Sequence, residues 1–190
     1  MEGLRQDLVE LYGASCPAAP GDPYRRPGRQ SFSDRLTTDM RRPGFALVIA
    51  ETDGLTGCAF GFPVCDDGSW WLGFEGTLPR GIGQLTVSGG VFAFAAVMIR
   101  PHAQGRRLAR RLQERLLADH QASLGATLVD RADGPTLAAL RSWGWLDIGE
   151  LRRPMSPTTF RALVYPRGER AMARMEGLVT MPGDGGPGGA

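Results

Sequence analysis

Four arginines crowd the start of one short stretch of this sequence. In VMIRPHAQGRRLARRLQERLL, residues 97–117, Arg106, Arg107, Arg110 and Arg111 all precede the first acid, Glu114. The spacing predicts a helix here, because Leu108, Leu112 and Leu116 make one apolar stripe, joined by Ala109 and Leu117. Unpaired N–H groups already make a helix N-terminus electropositive, so each guanidinium left in water there costs about 0.3–1 kcal/mol. A bound anion would remove the conflict. Phosphate accepts N–H bonds and gains favourable dipole energy at such a mouth, and arginine adds bidentate contacts. The plain alternative is that the arginines splay into solvent.

The elements that would position this mouth follow from the rest of the pattern. VFAFAAVMI (91–99) is apolar on both faces and reads as a central strand, ended by Pro101. ATLVDRA (126–132) reads as a second buried strand, and PTLAALRSWG (135–144) as a helix stopped by Gly144. WLDIGELRR and TTFRALVYP look like a closing antiparallel pair. Upstream, residues 2–12 fit an amphipathic helix. SFSDRLTTDMRR fits another, with Ser31 or Ser33 as cap and Pro43-Gly44 as stop. FALVIAE and LTGCAFGFPV flank a Thr-Asp-Gly turn and predict a hairpin. Residues 65–89 read as a long Gly-rich connection, a length that usually marks a binding loop or lid. It is expected to order mainly over a bound substrate.

Composition sets the outer bounds. A chain of 190 residues with 42% apolar and 22% charged residues fits one globular domain, here residues 1–176. The tail VTMPGDGGPGGA, within 177–190, is too rich in Gly and Pro to pack and is expected to be disordered. A net charge of +2 argues against a dedicated nucleic-acid binder. All 22 basic residues are arginine and asparagine is absent, which is the usage of a GC-rich genome. The three cysteines, Cys16, Cys58 and Cys65, suit no common metal spacing and read as reduced thiols of a cytoplasmic protein. No signal peptide and no membrane-length apolar run is expected.

RPHAQGRRLARRLQERLL resembles the acyl-CoA-binding motif of the GNAT acyltransferase superfamily, Gln/Arg-x-x-Gly-x-Gly/Ala. Gln104 stands at its first position, Gly105 at the glycine members often carry next, and Ala109 at the last. Arg107 replaces the middle glycine, which is a departure. DGPTLAALRSWGWLDIGE resembles the family's second motif, with Asp133 at the usual Asn, Leu140 at the usual Tyr and Gly144-Trp145 at Gly-Phe. The resemblance covers residues 4–166 in element order and implies the GNAT fold, an α/β architecture with a mixed, mostly antiparallel central sheet flanked by helices.

What the resemblance implies is N-acetyltransferase chemistry, moving an acetyl group directly from acetyl-CoA, or a related acyl-CoA, to an amine of a small molecule. Val97, Met98 and Ile99 would bind the pantetheine arm. Gln104, Gly105, Arg106, Arg107, Leu108 and Ala109 would hold the pyrophosphate, and the Met98 backbone N–H would serve a developing oxyanion. Positioning carries most of the chemistry, because a thioester is already activated. Relatives place a carboxylate on the central strand, where this chain has the apolar Ala96, so Glu75 is the substitute base. Trp70, Trp71 and Phe74 would line the acceptor pocket or pin the loop to the core. His102 reads as an exposed turn residue, Asp133 as a helix cap, and Trp143 and Trp145 as core. Cys65 lacks a nearby His that would make it a nucleophile. The expected partners are acyl-CoA and a small amine, with no metal, nucleic acid or membrane, and room for a homodimer. A CoA-binding pseudo-enzyme, sensor or catalyst of another thioester reaction stays open, as does, more remotely, a phosphate-binding nucleic-acid module.

Overall fold

The structure, a computed structural model, describes residues 2–15, 29–101, 105–154, 156–168 and 171. The Pro-rich connection, His102, Gln104 and the tail from residue 177 lie outside the described residues. The helices are α1 (Glu2–Ser15), α2 (Arg29–Asp39), α3 (Arg80–Val87), α4 (Gly105–Asp119) and α5 (Gly134–Ser142). The strands are β1 (Ala46–Glu51), β2 (Leu55–Pro63), β3 (Val91–Ile99), β4 (Leu124–Asp130), β5 (Leu146–Arg152) and β6 (Thr159–Pro166). They form one six-stranded sheet in the order β1-β2-β3-β4-β6-β5. Only β3 and β4 run parallel, because α4 carries the chain across between them.

Strand alternation divides the core into two faces. On one face Phe92, Phe94 and Ile99 of β3 pack under α4 and α5, against Leu112, Leu116 and Leu140. On the other face Cys58, Phe60 and Met98 pack under α1 and α2, against Leu8, Leu11, Phe32 and Leu36. The remaining part of that second face, under Val91, Ala93, Leu124 and Ala126, is covered by Trp71, Ile82 and Leu85. α4 meets the stripe expected of it, with Ala109, Leu112, Leu116 and Leu117 buried and Leu108 half-buried. Asp133 caps α5, accepting the Thr136 N–H at 3.1 Å, and Gly144 takes the positive φ of +98° that ends it.

Two sequence expectations need correction. The segment 65–89 is not one loop, since it contains a 3₁₀ turn at Ser69–Trp71 and then α3. Gly81 and Gly83 lower helix propensity there by about 1 kcal/mol each relative to alanine, and burial of Ile82, Leu85 and Thr86 on one side outweighs it. The segment is also anchored to β5: Glu75 N–H donates to Glu150 O at 2.9 Å, and Arg152 N–H to Gly73 O at 2.8 Å. The second correction concerns α2. It begins at Arg29, so neither Ser31 nor Ser33 caps it. Ser33 instead lies inside the helix, its hydroxyl accepting from Arg5 Nη2 at 2.7 Å and so joining α1 to α2.

Candidate active site

The two parallel strands stay paired only briefly. Val91, Phe92 and Ala93 align with Leu124, Gly125 and Ala126, and then the ladder ends. Thr127 Oγ1 donates to Phe94 O at 2.9 Å at this point, in a buried bond. Beyond it β3 and β4 part, leaving a fork.

A bulge in β3 sits at the same place. Phe60 pairs with Ala96 but Gly61 pairs with Phe94, so Ala95 is an extra residue. Gly61 is required opposite it, because a Cβ there would fall 1.9 Å from Ala93 O. Because the bulge absorbs the extra residue, Val97 and Ile99 stay on the α4 face, in line with Phe92 and Phe94. The bulge leaves Ala95 exposed.

The phase of the β2–β3 ladder decides which backbone groups face the fork. Arg100 N–H donates to Thr56 O at 2.9 Å. Antiparallel pairing alternates, so Met98 exchanges its bonds with Cys58, while Val97 and Ile99 turn their backbone groups towards β4. The Met98 N–H, expected to serve an oxyanion, thus points to β2 within the sheet, and the neighbouring Val97 N–H is the one that faces the fork.

On the α1–α2 face, a cavity of about 210 Å³ opens beside the fork, lined by Arg35, Asp39, Phe62, Trp70, Ala95 and Leu128. The three expected acceptor aromatics therefore separate. Trp70 lines the cavity. Trp71 is buried in the core and donates Nε1–H to Thr86 Oγ1 at 2.9 Å, and Phe74 packs against β5 through a bridge to Leu151. Glu75 sits over β5, the edge strand two places beyond β4, paired with Arg152 at 2.7 Å. Asp39 was missed in the sequence. Its carboxylate is half-buried at the cavity and accepts from Arg42 Nε at 3.1 Å.

On the α4 side, Arg107, Arg110 and Arg111 line a long groove with Arg100, between α4 and the β1–β2 hairpin. Arg110 pairs with Glu114 at 2.7 Å. Arg106, Arg107 and Arg111 have no carboxylate partner among the described residues, so the charge at the helix mouth stays uncompensated. Gly105, Leu108 and Ala109 form the first turn behind Pro101. Gln104 and His102 fall outside the described residues.

The remaining candidates lie in the core or on the surface. Leu140 is a buried core residue. Tyr165 is mostly buried on the α4 face, and burial followed by the Glu114 carboxylate pushes its hydroxyl above the ordinary tyrosine range. Cys58 is buried in β2, where burial pushes its thiol up to about 12. Cys65 is exposed, and Cys16 lies outside the described residues. No cluster of metal-ligating side chains occurs among the described residues, nor does any helix long and apolar enough to cross a membrane.

No protein-family model and no curated protein sequence matches the chain. Solved structures match its fold across nearly its whole length. A Desulfovibrio desulfuricans protein assigned to the GNAT family of acetyltransferases is 14% identical, with a TM-score of 0.53 over 88% of this chain and 95% of that one. The aminoglycoside acetyltransferase AAC(6')-Ib, solved with coenzyme A and kanamycin, is 18% identical, with a TM-score of 0.53 over 90% and 95%. The spermidine N-acetyltransferase SpeG of Vibrio cholerae, solved as a mutant, is 9% identical, with a TM-score of 0.52 over 92% and 95%. The chain has the GNAT fold, a mixed α/β sheet of six mostly antiparallel strands flanked by helices.

Proposed function

We propose that this protein is an N-acetyltransferase that moves an acetyl group from acetyl-CoA, or a related acyl-CoA, to the amine of a small molecule. One observation carries the reading. A fork with unpaired strand backbone lies between an uncompensated arginine helix mouth and a small cavity on the opposite face. That arrangement suits a ligand with a phosphate end and a hydrogen-bonding arm, with room for a second reactant at its tip. The coenzyme A in the AAC(6')-Ib structure supports the same choice.

In this reading the Val97 and Ile99 backbone groups bind the pantetheine amides, as strand backbone binds a neighbouring strand. The first turn of α4, from Gly105 to Ala109, offers its free N–H groups to the pyrophosphate, with Gln104 just before it and Arg106 and Arg107 adding charge. The Val97 N–H takes the carbonyl oxygen of the acetyl group. The neutral amine bonds to the acetyl carbon, the C–S bond breaks, and the proton lost from nitrogen reaches the departing sulfur through solvent. Asp39 is the carboxylate that lines the cavity and holds the amine, a position that favours it over Glu75 on the far edge strand.

A second reading, acyl-CoA binding without transfer, is favoured by Leu140, whose apolar side chain has no proton to give a departing thiolate. Two measurements test both. Calorimetry should show acetyl-CoA binding that weakens at least tenfold, about 1.4 kcal/mol, when Arg106 and Arg107 are both changed to Glu. CoA release should then accelerate with an amine panel. Binding without any amine-dependent release leaves the second reading, and absence of binding by the wild-type protein removes both.

A further inference from the structure

The acceptor cavity is rimmed by arginines that the fold holds in place. Arg35 lines it directly. The Arg42 guanidinium carbon lies 4.4 Å from the centroid of Phe62, a ring that lines the cavity. That of Arg153 lies 5.8 Å from the centroid of Trp70, another lining ring, and Arg153 Nη1 also donates to Ser69 O at 3.3 Å. Stacking on aromatic faces holds a guanidinium in position without any acid nearby.

The acids do not balance these cations. Asp39 accepts from Arg42, and Asp67, beside the Trp70 turn, accepts the Ser69 N–H at 2.8 Å. Arg35 and Arg153 have no carboxylate partner among the described residues. Arg42 and Arg153 also repel each other. After burial, the Arg42 charge is the second reason that the Arg153 guanidinium is held below the ordinary arginine range. Arg153, laid on one ring of the cavity with no described acid paired to it, and Arg35, in the cavity's own lining, leave this rim with positive charge that an anion would balance.

We infer that the acceptor is a small amine that also carries a carboxylate, of the α-amino acid type, its amine at Ala95 and Asp39 and its carboxylate between Arg153 and Arg35. The inference rests on the acetyltransferase reading and names its substrate class. Polyamines and aminoglycosides, which present several positive charges, meet like charge at this rim. The cavity, at about 210 Å³, is also smaller than the roughly 300 Å³ at which drug-sized sites begin, which suits a single amino acid.

The test compares each of the twenty L-amino acids with its amide, which keeps the amine and removes the anion, and includes spermidine and kanamycin. With acetyl-CoA saturating, kcat/KM should be at least tenfold higher for the preferred amino acid than for its amide, and higher than for either polycation. In Arg153→Gln and in Arg35→Gln that ratio should fall below threefold, while acetyl-CoA affinity stays within twofold of wild type. Calorimetry on the CoA-loaded protein, titrated with N-acetyl amino acids and N-acetyl amino acid amides, reads the same preference without turnover. Equal use or equal binding of carboxylate and amide, a preference for spermidine or kanamycin, or a CoA-loaded protein that takes none of the series would overturn the inference. Failure to bind acetyl-CoA at all would instead count against the acetyltransferase reading beneath it.

Discussion

Thr127 and Phe94 are joined by a buried hydrogen bond, hydroxyl to carbonyl at 2.9 Å, at the point where two parallel strands separate. The Phe94 carbonyl has no further β4 backbone partner there, since the register ends at Ala93 and Ala126. Replacing Thr127 by valine keeps the shape and leaves that carbonyl without the bond, which costs about 1–3 kcal/mol. Thermal unfolding should report the loss. Acetyl-CoA affinity should fall as well, because the fork loses the bond at its base. Unchanged stability and unchanged affinity would show that the bond does not define the fork.

The adjacent tryptophans should behave differently. Trp70 lines the cavity, so Trp70→Ala should raise the acceptor KM with little change in melting temperature. Trp71 is buried and hydrogen-bonded to Thr86, and Trp71→Ala should cost about 3–5 kcal/mol. Denaturant unfolding and steady-state kinetics on the two variants would separate the roles, and equal destabilisation by both would contradict the placement of Trp70.

Burial of Cys58 makes stability sensitive to alkali. Its thiol stands at about 12 in the folded chain against an ordinary 9.0. The unfolded chain gives up the proton first, so the contribution is complete below pH 9 and is lost progressively as pH rises towards 12. Within that window the stability difference between wild type and Cys58→Ala should change by up to about 1.4 kcal/mol per pH unit. Parallel unfolding curves at pH 8, 9 and 10 for the two proteins would refute it.

We expect no tyrosine to protonate a departing thiolate. Tyr12 stacks on Phe32 with ring centroids 4.3 Å apart, and Tyr165 is mostly buried beside Trp145, with the Glu114 carboxylate near its hydroxyl. Tyr24 lies outside the described residues. Each Tyr→Phe variant should keep kcat within tenfold of wild type, whereas loss of a general acid commonly removes 10²–10⁴-fold. A hundredfold drop in any one, with CoA affinity intact, would assign that tyrosine the role.

The legible parts of the sequence were those governed by local rules. The stripe of Leu108, Leu112 and Leu116, the two-faced apolarity of β3 and the Asp-Gly hairpin each depend on near neighbours. α3 was not legible, because its glycines argue against a helix and only the burial of Ile82 and Leu85 under the sheet reverses that. The direction of the Met98 N–H turns on a ladder phase, and the bulge at Ala95 breaks the strict alternation from which the later faces of β3 would be read. Asp39 and Arg153 are 114 positions apart in the chain and come to one cavity only through the fold. The split between Trp70 and Trp71 needed the position of Thr86, which no spacing rule supplies.

The bulge at Ala95 also limits how this gene can change length. It splices two half-strands out of phase, so Phe92 and Phe94 share a face with Val97 and Ile99. Deleting the Ala95 codon would leave a regular strand in which Phe92, Phe94, Val97 and Ile99 still alternate onto the α4 face, so only the bulge would be lost. Deleting two residues, Ala95 and Ala96, would instead turn Val97 and Ile99 away from α4 and drive Met98 towards it. The one-residue variant of this segment should therefore fold with its faces intact, and the two-residue variant should not.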